Sequence, residues 1–112
     1  MPASRKRSYA RYTLAATELL GALVAMERKT RRMSVLELAE RLGVDRGTLS
    51  RLERGDPKVE LGVAFEACAL LGVPLFNEDA QGITSRLAEI NSRLALLPAR
   101  ARAKRVSISD DF

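Results

Sequence analysis

Between Ser34 and Gly55 the chain reads SVLELAERLGVDRGTLSRLERG, and its apolar positions recur at helical spacing in two short runs with one glycine-containing break. The first run opens at Ser34, whose hydroxyl can cap a helix. Glu37, three positions on, can reach back to the Ser34 backbone, which is the capping-box spacing. Leu36, Ala39 and Leu42 then repeat on one face, and Gly43 ends the run as a glycine in the left-handed conformation does. Val44 is an expected core contact. Asp45 is a natural N-cap for a second helix, with Leu49 and Leu52 as its buried side. Gly55 closes that helix and Asp56-Pro57 prevents its continuation. Two helices joined by so tight a turn cross at a large angle, the helix-turn-helix arrangement.

The same periodicity predicts helices on either side. Thr13 to about Lys29 places Leu20, Leu23 and Val24 on one face, flanked by Leu19 or Met26. Glu60 to Leu71 places Leu61, Ala64, Phe65, Cys68 and Leu71 toward a core, with Gly72 as its end. Val73-Pro74-Leu75-Phe76 is a candidate short fifth helix, and Asn77 to Gly82 reads as a polar, acidic loop. From 83 to 97 the apolar residues Ile83, Leu87, Ile90, Leu94 and Leu97 fall in a 4-3-4-3 spacing, the seam of a coiled coil. Two heptads are too short to hold a coiled coil alone. They suffice to reinforce a dimer, to dock on another protein, or to fold back on their own domain. Pro98 stops the helix. The organisation is therefore a basic N-terminal arm (1–12), a helical domain (13–76), an amphipathic helix (83–97) and a tail (98–112).

Charge changes this picture at the ends and on one helix face. The 112 residues carry a formal net charge of +5. Residues 1–13 hold Arg5, Lys6, Arg7 and Arg11 with no acid, and residues 98–112 hold four bases and two acids. The segment between has eleven bases against twelve acids, so the excess lies in the two ends. Such arms follow an acidic polymer such as DNA, or serve solubility alone. Once Leu49 and Leu52 are buried, the second helix of the pair exposes Arg46, Gly47, Ser50, Arg51 and Arg54. Arginine is the side chain best shaped to take a guanine edge through two hydrogen bonds. A helix of this kind suits a major groove, although an amphipathic hairpin with a solvated basic face has the same spacing.

The stretches Glu37-Leu38-Ala39-Glu40-Arg41-Leu42-Gly43-Val44 and Thr48-Leu49-Ser50-Arg51-Leu52-Glu53-Arg54-Gly55 resemble the Cro/repressor (Xre) type of helix-turn-helix regulator. Leu20-Gly21, Val24, Arg28 and Met33-Ser34 upstream, and Leu61 and Leu70-Leu71-Gly72-Val73 downstream, extend the resemblance over about Thr13 to Phe76. It implies an all-α, lambda-repressor-like DNA-binding domain of four to five helices, followed here by a C-terminal helix and a basic tail. It implies a homodimer reading a palindromic double-stranded operator through the major groove. On the matching positions, Arg46, Gly47, Ser50 and Arg51 face bases, with Arg51 foremost. Ser34, Thr48, Arg54 and Lys58 are candidate phosphate contacts, and Arg31 and Arg32 are further ones. An arginine at position 28 in this family pairs with the glutamate near the end of the recognition helix, so Arg28 and Glu53 are expected to form a structural ion pair. One departure stands out: many members carry Gln directly after the Ser or Thr that opens the second helix, and here it is Val35.

The tail extends the comparison. A compact domain, a leucine-containing helix, then LPARARAKR and an acidic DDF end are similar to the HipB-like antitoxins of HipA-type serine/threonine kinase toxins. That layout implies a repressor that also neutralises a HipA-like kinase; a stand-alone phage-type or metabolic regulator is the alternative. Within the tail, Val106 to Ser109 alternates apolar and polar, a weak strand signal. Catalysis is not expected, because the chain has no His, no metal set and no glycine-rich phosphate loop, and its acids are scattered over helix faces without forming a paired site. With Cys68 as its single cysteine, neither a disulfide framework nor a metal centre is expected, and no cofactor is implied. Cys68 lies in an apolar helical stretch and reads as a small core residue. No run approaches the roughly 18 apolar residues that span a bilayer, and no apolar stretch follows the basic N-terminus, so neither a membrane association nor a secretory leader is expected and the location implied is cytoplasmic.

Overall fold

Side-chain caps set where the central helices begin. In the computed structural model, which describes residues 8–100, the chain forms α1 (Arg11–Thr30), α2 (Val35–Leu42), α3 (Arg46–Glu53), α4 (Leu61–Leu71) and α5 (Ala80–Ala95). Ser34 and Glu37 make the reciprocal capping box at α2. Asp45 caps α3, and Asp79 caps α5 by accepting from the Gly82 N–H at 2.8 Å. Gly43 and Gly72 end α2 and α4 in the left-handed conformation. The chain divides after Asn77 into a first unit holding α1–α4 and a second holding α5.

In the first unit α1 and α2 each pack against both α3 and α4. The core is Val24, Leu38, Ala39, Leu49, Leu52, Ala64, Ala67, Cys68, Leu71 and Val73. Leu20, Leu23, Met33, Val35, Leu42, Val44, Val59 and Leu75 pack around it. Burial raises the pKa of the Cys68 thiol, which keeps it protonated and inert.

Several expectations are corrected. Leu36 is 49% exposed and Leu38 is fully buried, because the inward face of α2 is Val35, Leu38, Ala39 and Leu42. That set has the spacing i, i+3, i+4, i+7, and Leu36 stands to one side of it. Leu61 is exposed, and Ala67 takes the core place. α4 is apolar on almost every side, so spacing alone could not choose its face; the face that docks carries the small residues Ala64 and Ala67. Phe65 is half-buried and meets Phe76 edge-on, ring centroids 6.2 Å apart. Residues 73–76 form no helix: Pro74 interrupts, and Phe76 and Asn77 adopt φ of 54° and 61°, which a right-handed helix does not accommodate. The last helix begins at Ala80, inside the expected loop, and ends at Ala95 before Leu97. α1 begins at Arg11, so Arg11 and Tyr12 are helical, although Tyr12 stays 85% exposed. The bases at 5–7 and the alternating Val106–Ser109 lie outside the described residues.

Two glycines let α1 sit against the end of α3. A Cβ on Gly21 would run into the Leu52 carbonyl oxygen and stand 2.7 Å from that of Glu53. Gly55 has φ +85°, and a Cβ there would stand 2.6 Å from the Glu18 Cα. Backbone meets backbone at both points, so no side-chain rotation can relieve a larger residue. Gly62, by contrast, has nothing within 4 Å of an added Cβ. The same substitution should therefore have opposite signs at two helical sites. Gly21→Ala should lose about 1–3 kcal/mol by overpacking, whereas Gly62→Ala should gain about 0.5–1 kcal/mol of helix propensity. Urea denaturation of the two variants beside the parent chain measures both.

Candidate nucleic-acid interface

Helix α3 is held at its start, along its inner face and at its end. Asp45 Oδ1 accepts from the Thr48 N–H at 2.7 Å, and this bond holds the Asp45 carboxyl below the usual aspartate range. Leu49 and Leu52 are buried in the core. On the outer side Arg46, Gly47 and Arg51 are exposed, with Ser50 and Thr48 half-buried beside them. Arg54, the C-cap residue, is exposed at the far end. A helix this short has little intrinsic stability, so its direction comes from these anchors.

The anchor at the C-terminal end is Arg28. Its Nε donates to Glu53 Oε2 at 2.7 Å and its Nη2 to Oε1 at 3.0 Å, a bidentate fork. Its Nη1 donates to the Met33 carbonyl oxygen at 2.9 Å. One guanidinium therefore joins the end of α1, the α1–α2 turn and the last residue of α3. Arg28 is only 8% exposed. The hydrogen bonds to Glu53 raise its pKa, against the opposing effect of burial, and the charge on Glu53 adds to the rise. Among the described residues no buried side-chain nitrogen or oxygen lacks a partner.

The other expected positions divide. Ser34 Oγ accepts from the Glu37 N–H at 3.0 Å; its hydroxyl hydrogen remains available to an oxygen acceptor. Lys58 is exposed in the loop after α3, its backbone N–H held by Asp56 Oδ1 at 2.8 Å. Thr48, Arg51 and Lys58 border one open recess of about 230 Å³ with Val44, Val59, Glu60 and Val63. Arg32 is exposed in the turn at φ 57°. Arg31 is committed elsewhere: its Nη1 and Nη2 donate to the Leu70 and Leu71 carbonyl oxygens at 3.3 and 2.7 Å, and Glu27 lies 3.8 Å from its Nε. It caps the C-terminus of α4, where unsatisfied carbonyls and the helix dipole favour a cation. Two residues near α3 have partners that residue order does not announce: Gly21 lies against the Leu52 and Glu53 carbonyls, and the Asp56 carboxylate lies 3.5 Å from Arg51 Nε.

Residues 24–76 match the family model described as helix-turn-helix. That match supports a helix-turn-helix of the Cro/repressor type over this span, and the described helices are consistent with an all-α, lambda-repressor-like fold. The match supports a DNA-binding transcription regulator, from a family that generally acts by binding. No curated protein and no solved structure matches the chain. Among the described residues no helix is long and apolar enough to cross a membrane.

The Arg28–Glu53 pair should behave as a unit. Replacing either residue by alanine strands the other charge and should cost about 3–5 kcal/mol, while the double replacement Arg28→Ala with Glu53→Ala should cost well below the sum of the two. A double-mutant cycle by chemical denaturation reads this out. Asp45 gives a pH signature. Its folded pKa lies below its unfolded one, so the cap's contribution is complete above the ordinary aspartate range and fades as pH falls through the depressed folded value. Asp45→Asn keeps an acceptor for the Thr48 N–H and should remove that part of the acid sensitivity, seen as a flatter melting-temperature profile as pH falls through and below the ordinary aspartate range.

Proposed function

We propose that this protein is a homodimeric, sequence-specific transcriptional repressor that lays α3 in the major groove of a palindromic operator. One observation carries the reading: the locked helix α3 exposes Arg46, Gly47 and Arg51, with the half-buried Ser50 beside them and no large apolar residue among the four. Arg51 reads guanine, Arg46 and Ser50 contact neighbouring base edges, and Gly47 permits close approach. Ser34, Thr48, Arg54, Lys58 and Arg32 meet phosphates, which set register without reading sequence. Arg31 contributes through α4 in this scheme, given its bonds to the Leu70 and Leu71 carbonyls.

The homodimer is supported by α5. Leu87, Ile90 and Leu94, with Leu97 just past its end, are 46–61% exposed at heptad spacing, the seam that a second copy of the helix covers in a coiled coil. A two-fold dimer matches a two-fold operator. The same helix, with the basic-then-acidic tail, supports a finer reading in which the dimer is an antitoxin that autoregulates its operon and holds a HipA-like kinase inactive. Most of that tail, from residue 101, lies outside the described residues. Co-purification with a kinase encoded beside it separates an antitoxin from a stand-alone regulator.

Selection from a random duplex pool at near-physiological salt tests the main reading. The parent chain should enrich a two-fold symmetric site. Arg51→Ala should lose about 1–3 kcal/mol there and relax preference at one base pair per half-site. Leu87→Asp should leave half-site preference intact and abolish the symmetric pair. Equal binding of every duplex by all three proteins, with affinity falling steeply as salt rises, would leave the basic arms as the whole DNA interaction.

A further inference from the structure

Resting on the reading of α3 as a groove reader, we infer that Asp56 is a specificity-determining residue, which positions Arg51 without itself touching a base. Asp56 is linked to Arg51 twice. Its backbone N–H donates to the Arg51 carbonyl oxygen at 3.0 Å, and its Oδ2 lies 3.5 Å from Arg51 Nε. Its other carboxylate oxygen, Oδ1, accepts the Lys58 N–H at 2.8 Å. The carboxylate thus spans the turn after α3, one oxygen toward the turn's own backbone and one toward the arginine.

Geometry makes the contact useful. The closest approach is to Nε, on the inner edge of the guanidinium. Among the described residues no hydrogen bond engages the two terminal nitrogens of Arg51, and those are groups a guanine O6 and N7 can take together. A free arginine loses rotamer entropy when it is fixed against a base. A carboxylate behind Nε selects rotamers beforehand and orients the plane of the fork. The Arg51 side chain is 46% exposed and that of Asp56 27%, so the pair is worth little as a surface salt bridge. Its effect is orientation. The carboxylate also places a negative charge beside the interface. It opposes every phosphate alike, and only a site that completes the Arg51 contact offsets this. Asp56 therefore weakens indiscriminate binding while sharpening one base preference.

Asp56→Asn separates the two functions of the side chain. Asparagine keeps an oxygen to accept the Lys58 N–H and favours the same turn, but it lacks the charge that draws Arg51. The experiment measures duplex preference, one base pair at a time, for the full chain, Asp56→Asn, Arg51→Ala and the double variant, with thermal melting of each. The expected result is a melting temperature for Asp56→Asn close to the parent's and a preference reduced about tenfold at the base pair that Arg51→Ala also relaxes. Other positions should be unchanged, binding to unrelated duplexes should be tighter, and Asp56→Asn should add nothing to Arg51→Ala at that pair. If Asp56→Asn keeps the parent's full base profile while Arg51→Ala loses one position, Asp56 is a turn residue only and the inference is overturned. Uniform blurring of all positions overturns it equally, since the residue would then support the whole helix. If the parent chain selects no site, the groove-reading assignment of α3 fails first and this inference falls with it.

Discussion

The direction of α3 depends on how closely α1 can approach its C-terminal end. Arg28 reaches across to fork onto Glu53 and also holds the Met33 carbonyl. That reach is possible because Gly21 and Gly55 leave no side chains between the two backbones. The glycines and the ion pair are parts of one device: the first set the distance, and the second fixes the angle within it. An eight-residue helix without such a clamp would be marginal, since its inner face offers two buried leucines. A charged pair is weak evidence for net stability when buried, but it is well suited to specifying one geometry. Here the specified geometry is the outward face of α3.

Around that clamp, the polar groups of the domain are committed to helix ends. Ser34 and Glu37 satisfy the start of α2, Asp45 the start of α3 and Arg31 the end of α4. The unit is small, and its core is built largely from Leu, Val and Ala with no tryptophan. Capping and close glycine contacts therefore take a larger share in defining the fold than they would around a core of large aromatic residues. The globular part is nearly neutral while the chain is +5 overall. In the proposed reading, long-range attraction to DNA resides mainly in the ends, and discrimination in a handful of side chains on α3 and the following turn.

Local chemistry was the most legible layer. A capping box, an aspartate cap and two helix-ending glycines can be read from residue order because each device spans three or four positions. The choice of inward face was less legible. Both Leu36 and Leu38 are apolar, and only docking on α3 and α4 favours the face with Val35, Leu38, Ala39 and Leu42. In α4 the apolar residues wrap most of the helix, so the small side chains of Ala64 and Ala67 decided the contact over the larger Leu61. Positive φ at Phe76 and Asn77, which ends any helix at 73–76, left no compositional mark beyond Pro74.

The candidate interface divides along the same line. The order of residues determined that two helices meet at a tight turn, that Arg46, Gly47, Ser50 and Arg51 share the outer side of the second, and that charge collects at the chain ends. All of these are local or compositional properties. Tertiary structure alone decided that Arg31 serves α4, thirty-nine and forty residues away, and that Asp56 turns one carboxylate oxygen toward Arg51. It also decided that Gly21 is needed for backbone contact with α3. The physical reason is that a charged side chain or a missing Cβ takes its meaning from whatever backbone or counter-charge the fold brings within a few ångströms, and sequence spacing carries no record of that neighbour.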